Sequence, residues 1–160
     1  MSNSKLISCT LISPNKNSPR NHKIDTITIH CVVGQCSAER IGEIFKPTSR
    51  QASSNYGIGY DGRIGLYVDE ADRSWCSSSA ANDNRAITIE VASDTKHPYA
   101  VNDKAYAALL DLVEDICRRN EIKKAGMEYK QGRPRKPQER VQYDRSQGLR
   151  EQVLSRRLSV

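Results

Sequence analysis

The spacing of apolar residues alternates between two patterns up to residue 120, and this alternation limits the chain to one kind of fold. β-Branched residues are frequent in Ile24–Val33 and in Ile87–Val91, and the apolar ones alternate there with polar residues, which is typical of β-strands. Apolar residues recur at helical spacing after Ser37 and in Asp103–Asn120. Because strands alternate with helices along the chain, the sequence predicts an α/β domain with a single mixed β-sheet flanked by helices.

Capping and turn residues set the expected boundaries of these elements. Ser37 can accept a hydrogen bond from the first helical turn and Pro47 cannot continue a helix, so a helix is expected between them. Asp61-Gly62 is typical of a two-residue turn and predicts a hairpin over Tyr56–Val68. The small polar residues of Trp75–Asn84 indicate a loop.

The last forty residues differ from the rest in charge. Residues 1–120 carry 14 basic and 14 acidic side chains, whereas residues 121–160 carry 11 and 5, so the whole net charge of +6 lies at the C-terminal end. Apolar periodicity is lost there too, apart from a short helix expected over Gln147–Leu158. We therefore expect an N-terminal extension (1–23, with a short strand within Lys5–Leu11), a folded domain (24–125) and a basic, disordered tail (126–160).

The sequence contains no segment typical of a membrane-spanning helix and gives little support to a disulfide framework. No apolar run approaches the roughly 20 residues that a bilayer span needs. The polar N-terminus lacks the apolar stretch of a secretory signal, which predicts synthesis in the cytoplasm without an export signal. The five cysteines are odd in number and irregularly spaced, so free buried thiols are expected rather than disulfides or a cysteine-only zinc site.

Several short segments occur in a distinctive order between Ile24 and Asn120. They are Thr26-Ile-Thr-Ile-His30 with the helix Ala38–Phe45, then Asn55-Tyr56-Gly57-Ile58-Gly59, Asp61-Gly62-Arg63-Ile64 and Ala86-Ile-Thr-Ile-Glu-Val91. At these spacings the chain resembles the type 2 N-acetylmuramoyl-L-alanine amidases, which share a fold with peptidoglycan recognition proteins and phage endolysins. The resemblance implies a peptidoglycan hydrolase that cleaves the amide between N-acetylmuramic acid and L-alanine, in phage or prophage lysis or in bacterial wall remodelling.

The resemblance also implies a zinc ion and assigns roles to residues. In the family, two histidines and a third ligand hold Zn²⁺, which polarises the scissile carbonyl and activates a water molecule. His30 matches the first metal ligand, Tyr56 a catalytic tyrosine beside the metal, and Glu90 a general base. The expected contacts of the glycan–peptide substrate are three residues around the hairpin and the loop that follows it: Asn55, Trp75 and Ser77.

The residues alone leave a structural alternative open for each of these roles. His30 is also compatible with a strand-end histidine bonded to backbone, and Tyr56 with a core tyrosine of the hairpin. Glu90 is compatible with a strand-end salt bridge. An aromatic residue on a loop, such as Trp75, is as often a lid on the core as a contact for substrate.

The other two zinc ligands of the family are missing from their expected place. The family carries them after the long helix, in a Val-His-Lys/Arg-Asp and a Ser-Cys-Pro-Gly segment, yet no histidine follows His97 and no cysteine follows Cys117. One histidine cannot supply the about 10–16 kcal/mol typical of structural zinc sites. We therefore expect weak or no zinc binding and no hydrolysis from this chain, and a non-catalytic peptidoglycan-binding module is the alternative function.

One hypothesis for the unusual tail is a change of reading frame near Ala125, in the gene or in its sequencing. When residues 126–160 are back-translated with free codon choice and read one nucleotide later, they can encode both Val-His-Lys-Asp and Ser-Cys-Pro-Gly in the family order. The gene sequence decides between this explanation and a natural basic tail.

A natural tail, with clusters such as Arg133-Pro-Arg135-Lys136, has the charge to bind nucleic acid or the anionic cell wall. No aromatic interleaving or nucleic-acid motif accompanies this charge, so nucleic acid is the less favoured partner. We expect a monomer without a membrane partner that acts on the peptidoglycan of the cell wall after release from the cell.

Overall fold

The computed structural model describes residues 2–122, which form a mixed five-stranded sheet between two layers of helix. This confirms the predicted α/β architecture. The elements in chain order are β1 (Cys9–Thr10), β2 (Lys16–Asn17), β3 (Thr26–Cys31), α1 (Ala38–Phe45), a 3-10 turn (Thr48–Arg50), β4 (Tyr56–Ile58), β5 (Ile64–Leu66), β6 (Arg73–Ser74), α2 (Ala80–Arg85), β7 (Ala86–Val91) and α3 (Asp103–Arg119). No helix among the described residues is both long and apolar enough to cross a membrane.

The strand order of the main sheet is β1-β5-β4-β7-β3. The hairpin strands β4 and β5 are antiparallel, and every other neighbouring pair is parallel. The two longest strands, β3 and β7, pair in register over six residues, from Thr26 opposite Ala86 to Cys31 opposite Val91. A small second sheet joins β2 to β6. β7 lies between β4 and β3, and its last three residues, from Ile89 to Val91, pair with both neighbours.

The two faces of the sheet carry different layers. On one face, α3 covers a large apolar core that includes Ile27, Tyr56, Ile87 and Ile89. On the other face, α1 packs with Ile41 and Phe45 against Tyr67. Because side chains alternate between faces along a strand, every residue next to one of these core positions points to the α1 face.

Glycines of the hairpin let α1 approach the sheet closely. A Cβ atom on Gly57 or Gly65 would lie 2.5 Å from atoms of the Tyr67 ring, so this ring occupies the space that side chains would fill. The Tyr67 hydroxyl donates to the carbonyl of Ala38 in α1 at 2.5 Å. Tyr67 therefore joins α1 to the sheet.

The helix ends follow the sequence-based expectations. The Ser37 side chain accepts from Arg40 N and caps α1, which ends before Pro47. The Asn102 side chain accepts from Ala105 N and caps α3. Each bond satisfies one of the backbone donors that a helix N-terminus leaves free.

The hairpin turn differs from the predicted two-residue turn. Gly59 N donates to Arg63 O, and Gly62 N donates to Gly59 O, so the turn spans residues 59–62. β4 ends at Ile58 and β5 begins at Ile64. Gly62 has a φ of 85°, which suits the left-handed residue that follows such a turn. The Asp-Gly pair thus marks the hairpin correctly, but the connection is longer than expected.

The loop expected over Trp75–Asn84 also contains a helix, since Ala80–Arg85 form α2. The Ser79 side chain accepts from Asn82 N and caps it. The six residues Ala-Ala-Asn-Asp-Asn-Arg carry no apolar stripe beyond two alanines, so periodicity gave no signal for this helix.

The segment expected to be an N-terminal extension is integrated into the fold. β1, which lies within the strand expected over Lys5–Leu11, adds to the edge of the main sheet beside β5. The buried guanidinium of Arg20 donates to the carbonyls of Glu70, Asp72, Asn84 and Ala86. The expected basic tail (126–160) and the helix expected over Gln147–Leu158 lie outside the described residues.

Candidate active site

His30 and Glu90 lie side by side because of the strand register. They are direct partners in the parallel β3–β7 pair, so both side chains point to the α1 face near the carboxyl ends of their strands. Cys76, two residues after β6, approaches from the adjoining loop, and its Sγ lies 3.8 Å from Glu90 Oε1. One ligand atom from each of the three half-buried residues lies within 4.8 Å of the others.

A buried carboxylate fixes the loop that carries Cys76. Asp83 in α2 accepts from Cys76 N at 3.0 Å and from Ser77 N at 3.2 Å. It also accepts from the Ser77 hydroxyl at 2.5 Å and from the Asn82 side-chain amide at 3.3 Å. Asp83 therefore positions Cys76 through the backbone rather than by touching its sulfur.

A cleft of about 270 Å³ opens beside this cluster. Its walls include the apolar side chains of Ile44, Phe45 and Trp75, and its polar lining includes Arg50, Cys76 and Glu90. The Trp75 indole N–H donates to Asn17 Oδ1 at 2.7 Å, which holds the ring in place. The cleft thus combines an apolar wall with a few polar groups, as small binding sites commonly do.

Burial changes the acid–base properties of all three clustered side chains. It lowers the pKa of His30, although the negative charge of Asp83 opposes this shift. It raises the pKa of Glu90 to about 7, against the lowering effects of the Cys76 hydrogen bond and the Arg50 charge. Burial, and then the nearby carboxylates of Glu90 and Asp83, raise the pKa of the Cys76 thiol well above its usual range. In the absence of a bound cation, burial therefore shifts each of the three pKa values in the direction that favours the neutral form.

The structure does not bring Tyr56 to this cluster. Tyr56 pairs with Ile89 and Leu66, so its side chain points to the α3 face, away from His30 and Glu90. Its hydroxyl donates to Glu70 Oε1 at 2.6 Å and accepts from Ser4 N at 2.9 Å. The ring is fully buried, and the side chain serves the core in this arrangement.

Of the three expected substrate contacts, one lines the cleft and the other two form hydrogen bonds within the fold. Trp75 lines the cleft. Asn55 is fully buried, and its side chain bonds to the backbone of Val68 and Thr88. Ser77 donates its hydroxyl to Asp83. Of the expected site residues, the structure therefore brings together His30, Glu90 and Trp75.

Cys76 is the site residue that the sequence analysis missed. All five cysteines are free, as expected, but the expected burial is found for Cys117 alone, since Cys31 is exposed and the other three are half-buried. In the sequence, Cys76 directly follows Trp75 in a loop of small polar residues. That position does not indicate that Cys76 lies near His30. The 14-residue separation of Cys76 and Glu90 also conceals their contact, because α2 folds between them.

The three donor atoms suit a zinc ion chemically. An imidazole nitrogen, a thiol sulfur and a carboxylate oxygen are the three side-chain ligand types that zinc accepts in proteins. Catalytic zinc sites use three such ligands and keep a fourth position open. The cleft beside Cys76 and Glu90 provides space for that position.

Comparisons with known proteins agree with the fold and identify a family. The sequence model of the N-acetylmuramoyl-L-alanine amidase family matches residues 20–152. A search of curated proteins finds no match. Among solved structures, a selenomethionine derivative of AmpD is similar with 19% identity and a TM-score of 0.61, covering 74% of this chain and 78% of that one.

Two further structures show the same fold. The endolysin amidase LysCS from Clostridium intestinale is 19% identical, with a TM-score of 0.58 over 76% of this chain and 80% of that chain. The Staphylococcus aureus hydrolase AmiA, in complex with its ligand, is 20% identical, with a TM-score of 0.58 over 77% of this chain and 60% of that chain.

Proposed function

Because the chain belongs to the N-acetylmuramoyl-L-alanine amidase family, we propose that it hydrolyses the muramoyl–L-alanine amide of peptidoglycan at the cleft beside His30. The observation that carries this proposal is the pairing of His30 with Glu90 across β3 and β7, next to a cleft lined by Trp75. The cleft is large enough for the atoms around one scissile amide, while the rest of a glycan–peptide chain extends over the surface.

The proposal departs from the sequence-based expectation of an inactive chain. That expectation counted one metal ligand, His30, because the ligand segments after the long helix are missing. Cys76 and Glu90 lie beside His30 and offer two further donors that the sequence analysis did not count as ligands. These two donors support proposing activity in place of the expected inactivity.

The side chains of the cleft have separate tasks in this reaction. Trp75, held by Asn17, forms a rigid wall against which the lactyl and alanyl groups pack. Arg50 gives the cleft a positive charge that suits the carboxylates of a stem peptide. Glu90 is placed to accept a proton from the attacking water and to return it to the leaving amine. A zinc ion, when bound beside His30, supplies polarisation of the amide carbonyl and a more acidic water.

Release of new L-alanine amino termini from purified peptidoglycan tests the proposal. We expect the full chain, supplied with Zn²⁺, to release them, and Glu90→Gln to reduce the rate by about 10²- to 10⁴-fold, as for loss of a general base. Glu114→Gln, on the exposed side of α3, is the matched control and should keep the wild-type rate. A chain that sediments with cell walls but releases no L-alanine termini would instead be the non-catalytic binding module.

The place of action follows from the substrate. Peptidoglycan lies outside the cytoplasmic membrane, so we propose that the chain acts on the cell wall after release from the cytoplasm. Fractionation of expressing cells before and after lysis checks this, because wall-bound protein before lysis would contradict it.

A further inference from the structure

We propose that His30, Cys76 and Glu90 together bind one zinc ion, with Cys76 and Glu90 replacing the two ligands that the chain lacks after its long helix. The choice of zinc rests on the proposed function, but the main test measures metal binding, which can be read without hydrolysis. The assignment gives Cys76 a role that its sequence context did not suggest.

The distances within the cluster are close to those of a zinc site. With zinc–sulfur and zinc–oxygen bonds of about 2.3 and 2.1 Å at a tetrahedral angle, a sulfur and an oxygen ligand lie about 3.6 Å apart. Cys76 Sγ and Glu90 Oε1 are 3.8 Å apart. The remaining separations stay within 4.8 Å, so small side-chain rotations bring all three donors to one ion.

The backbone beneath the three donors is already fixed. His30 and Glu90 belong to paired strands, and β7 is hydrogen-bonded on both sides. The loop of Cys76 is anchored by Asp83, which accepts from two consecutive backbone amides. Because the site is built on strands and an anchored loop, zinc binding does not have to order the chain first, and little of the binding free energy is lost to ordering.

The carboxylate of Glu90 can accept more hydrogen bonds than the side chains around it donate. The hydrogen bond that the Glu90 carboxylate accepts comes from the weakly donating Cys76 thiol. Within residues 2–122 no basic side chain forms an ion pair with Glu90. Buried carboxylates are normally paired or bound to metals, so a cation at this point supplies the missing partner. Ligation through one carboxylate oxygen leaves the other oxygen free to accept a proton.

Metal retention and cobalt spectroscopy test the assignment. The purified full chain is loaded with Zn²⁺, dialysed against metal-free buffer and analysed for zinc, and we expect about one equivalent. His30→Ala, Cys76→Ser and Glu90→Gln should each weaken zinc binding at least about 100-fold, since changes outside the ligand shell alone cost about 10- to 100-fold. With Co²⁺ instead of zinc, the wild type should show a thiolate-to-cobalt charge-transfer band that Cys76→Ser lacks.

Two further variants keep the test decisive. Cys9→Ser changes a half-buried cysteine of β1 outside the cluster, and it should retain both the zinc and the cobalt band. Cys76→Asp keeps a donor at the same place, so it should still bind zinc, more weakly, without the cobalt band. If Cys76→Ser does not fold, Cys76→Asp provides the test of the sulfur ligand instead.

The outcomes separate this inference from the proposed function. Absence of zinc from the wild type, unchanged zinc affinity in Cys76→Ser or Glu90→Gln, or loss of the cobalt band in Cys9→Ser would each overturn the assignment. Zinc bound through these residues with no release of L-alanine termini supports the assignment and refutes the proposed hydrolysis. Hydrolysis that persists at the wild-type rate in Cys76→Ser refutes the assignment alone.

Discussion

Replacing Tyr56 by phenylalanine separates two accounts of this residue. The resemblance to amidases predicts a catalytic tyrosine beside the metal, so the loss of its hydroxyl would lower activity and leave stability almost unchanged. The structure places this hydroxyl in the core on the α3 face, bonded to Glu70 and Ser4. On this basis Tyr56→Phe should lower stability and leave the chemistry of the cleft intact.

The expected loss of stability follows from the two hydrogen bonds. Glu70 is 1% exposed, and a hydrogen bond to a charged group contributes about 1.5–3 kcal/mol. The amide of Ser4, on a residue that is 2% exposed, loses its acceptor at a cost of about 1–3 kcal/mol. Arg119 still donates to both oxygens of Glu70 and limits the damage. We therefore expect a loss of about 2–4 kcal/mol, which lowers Tm by roughly 10 °C in a domain of this size.

Thermal unfolding followed by circular dichroism measures this loss, and the release of new L-alanine amino termini from peptidoglycan measures activity below the transition. Tyr60→Phe is the matched control, since Tyr60 is 48% exposed and its change should stay within about 0.5 kcal/mol. A Tyr56→Phe variant with unchanged Tm would refute the structural account, as would a large loss of activity at a temperature where the variant is fully folded.

Three more substitutions test a buried ion pair, the packing of a hairpin glycine and the anchoring of the loop that carries Cys76. Arg119→Met removes the cation from a buried ion pair and should cost about 3–5 kcal/mol in urea unfolding, whereas Arg118→Met, on an exposed side chain, should cost less than about 1 kcal/mol. Gly57→Ala places a methyl group 2.5 Å from an aromatic ring and should cost at least about 1–3 kcal/mol, while Gly34→Ala meets its nearest atom at 3.5 Å and should change Tm little. Asp83→Asn presents an amide where the loop amides need an acceptor, so zinc affinity measured by chelator competition should fall about 10- to 100-fold. Equal stability of the two arginine variants, an unperturbed Gly57→Ala, or wild-type zinc affinity in Asp83→Asn would contradict the corresponding argument.

Local patterns were sufficient to predict the main elements of the fold. The alternation in β3 and β7 and the apolar stripes of α1 and α3 are repeated many times within each segment, and capping residues sharpen the boundaries. α2 escaped prediction because its six residues are held by a cap and by contacts of Asp83, not by an apolar face. β2 and β6 are two residues long, which is too short for periodicity to reveal, whereas β1 lies within the strand expected over Lys5–Leu11.

The candidate site was predictable only in part, for a different reason. His30 and Glu90 carry a signal because each is the polar residue next to the end of a recognisable strand. Their contact with Cys76 depends on the path of the loop after β6, which Asp83 determines through backbone hydrogen bonds. The orientation of Tyr56 depends on which hairpin residues face α3. Gly57 and Gly65, one in each strand of the hairpin, have no side chain, so the sequence does not show which residues face α3. Contacts of this kind are tertiary, and no local spacing encodes them.

The position of His30 beside Glu90 is a consequence of packing on the opposite face of the sheet. Ile27, Ile87 and Ile89 are buried against α3, and this apolar set fixes the register of β3 on β7. A slip of one residue would turn His30 toward α3 and bring Ile29 toward the cleft, which is unfavourable for both faces. The register that buries the isoleucines is therefore the one that pairs the imidazole with the carboxylate. The chemistry of the cleft thus depends on residues that never touch it, and polar substitutions in this isoleucine set should weaken metal binding and stability together.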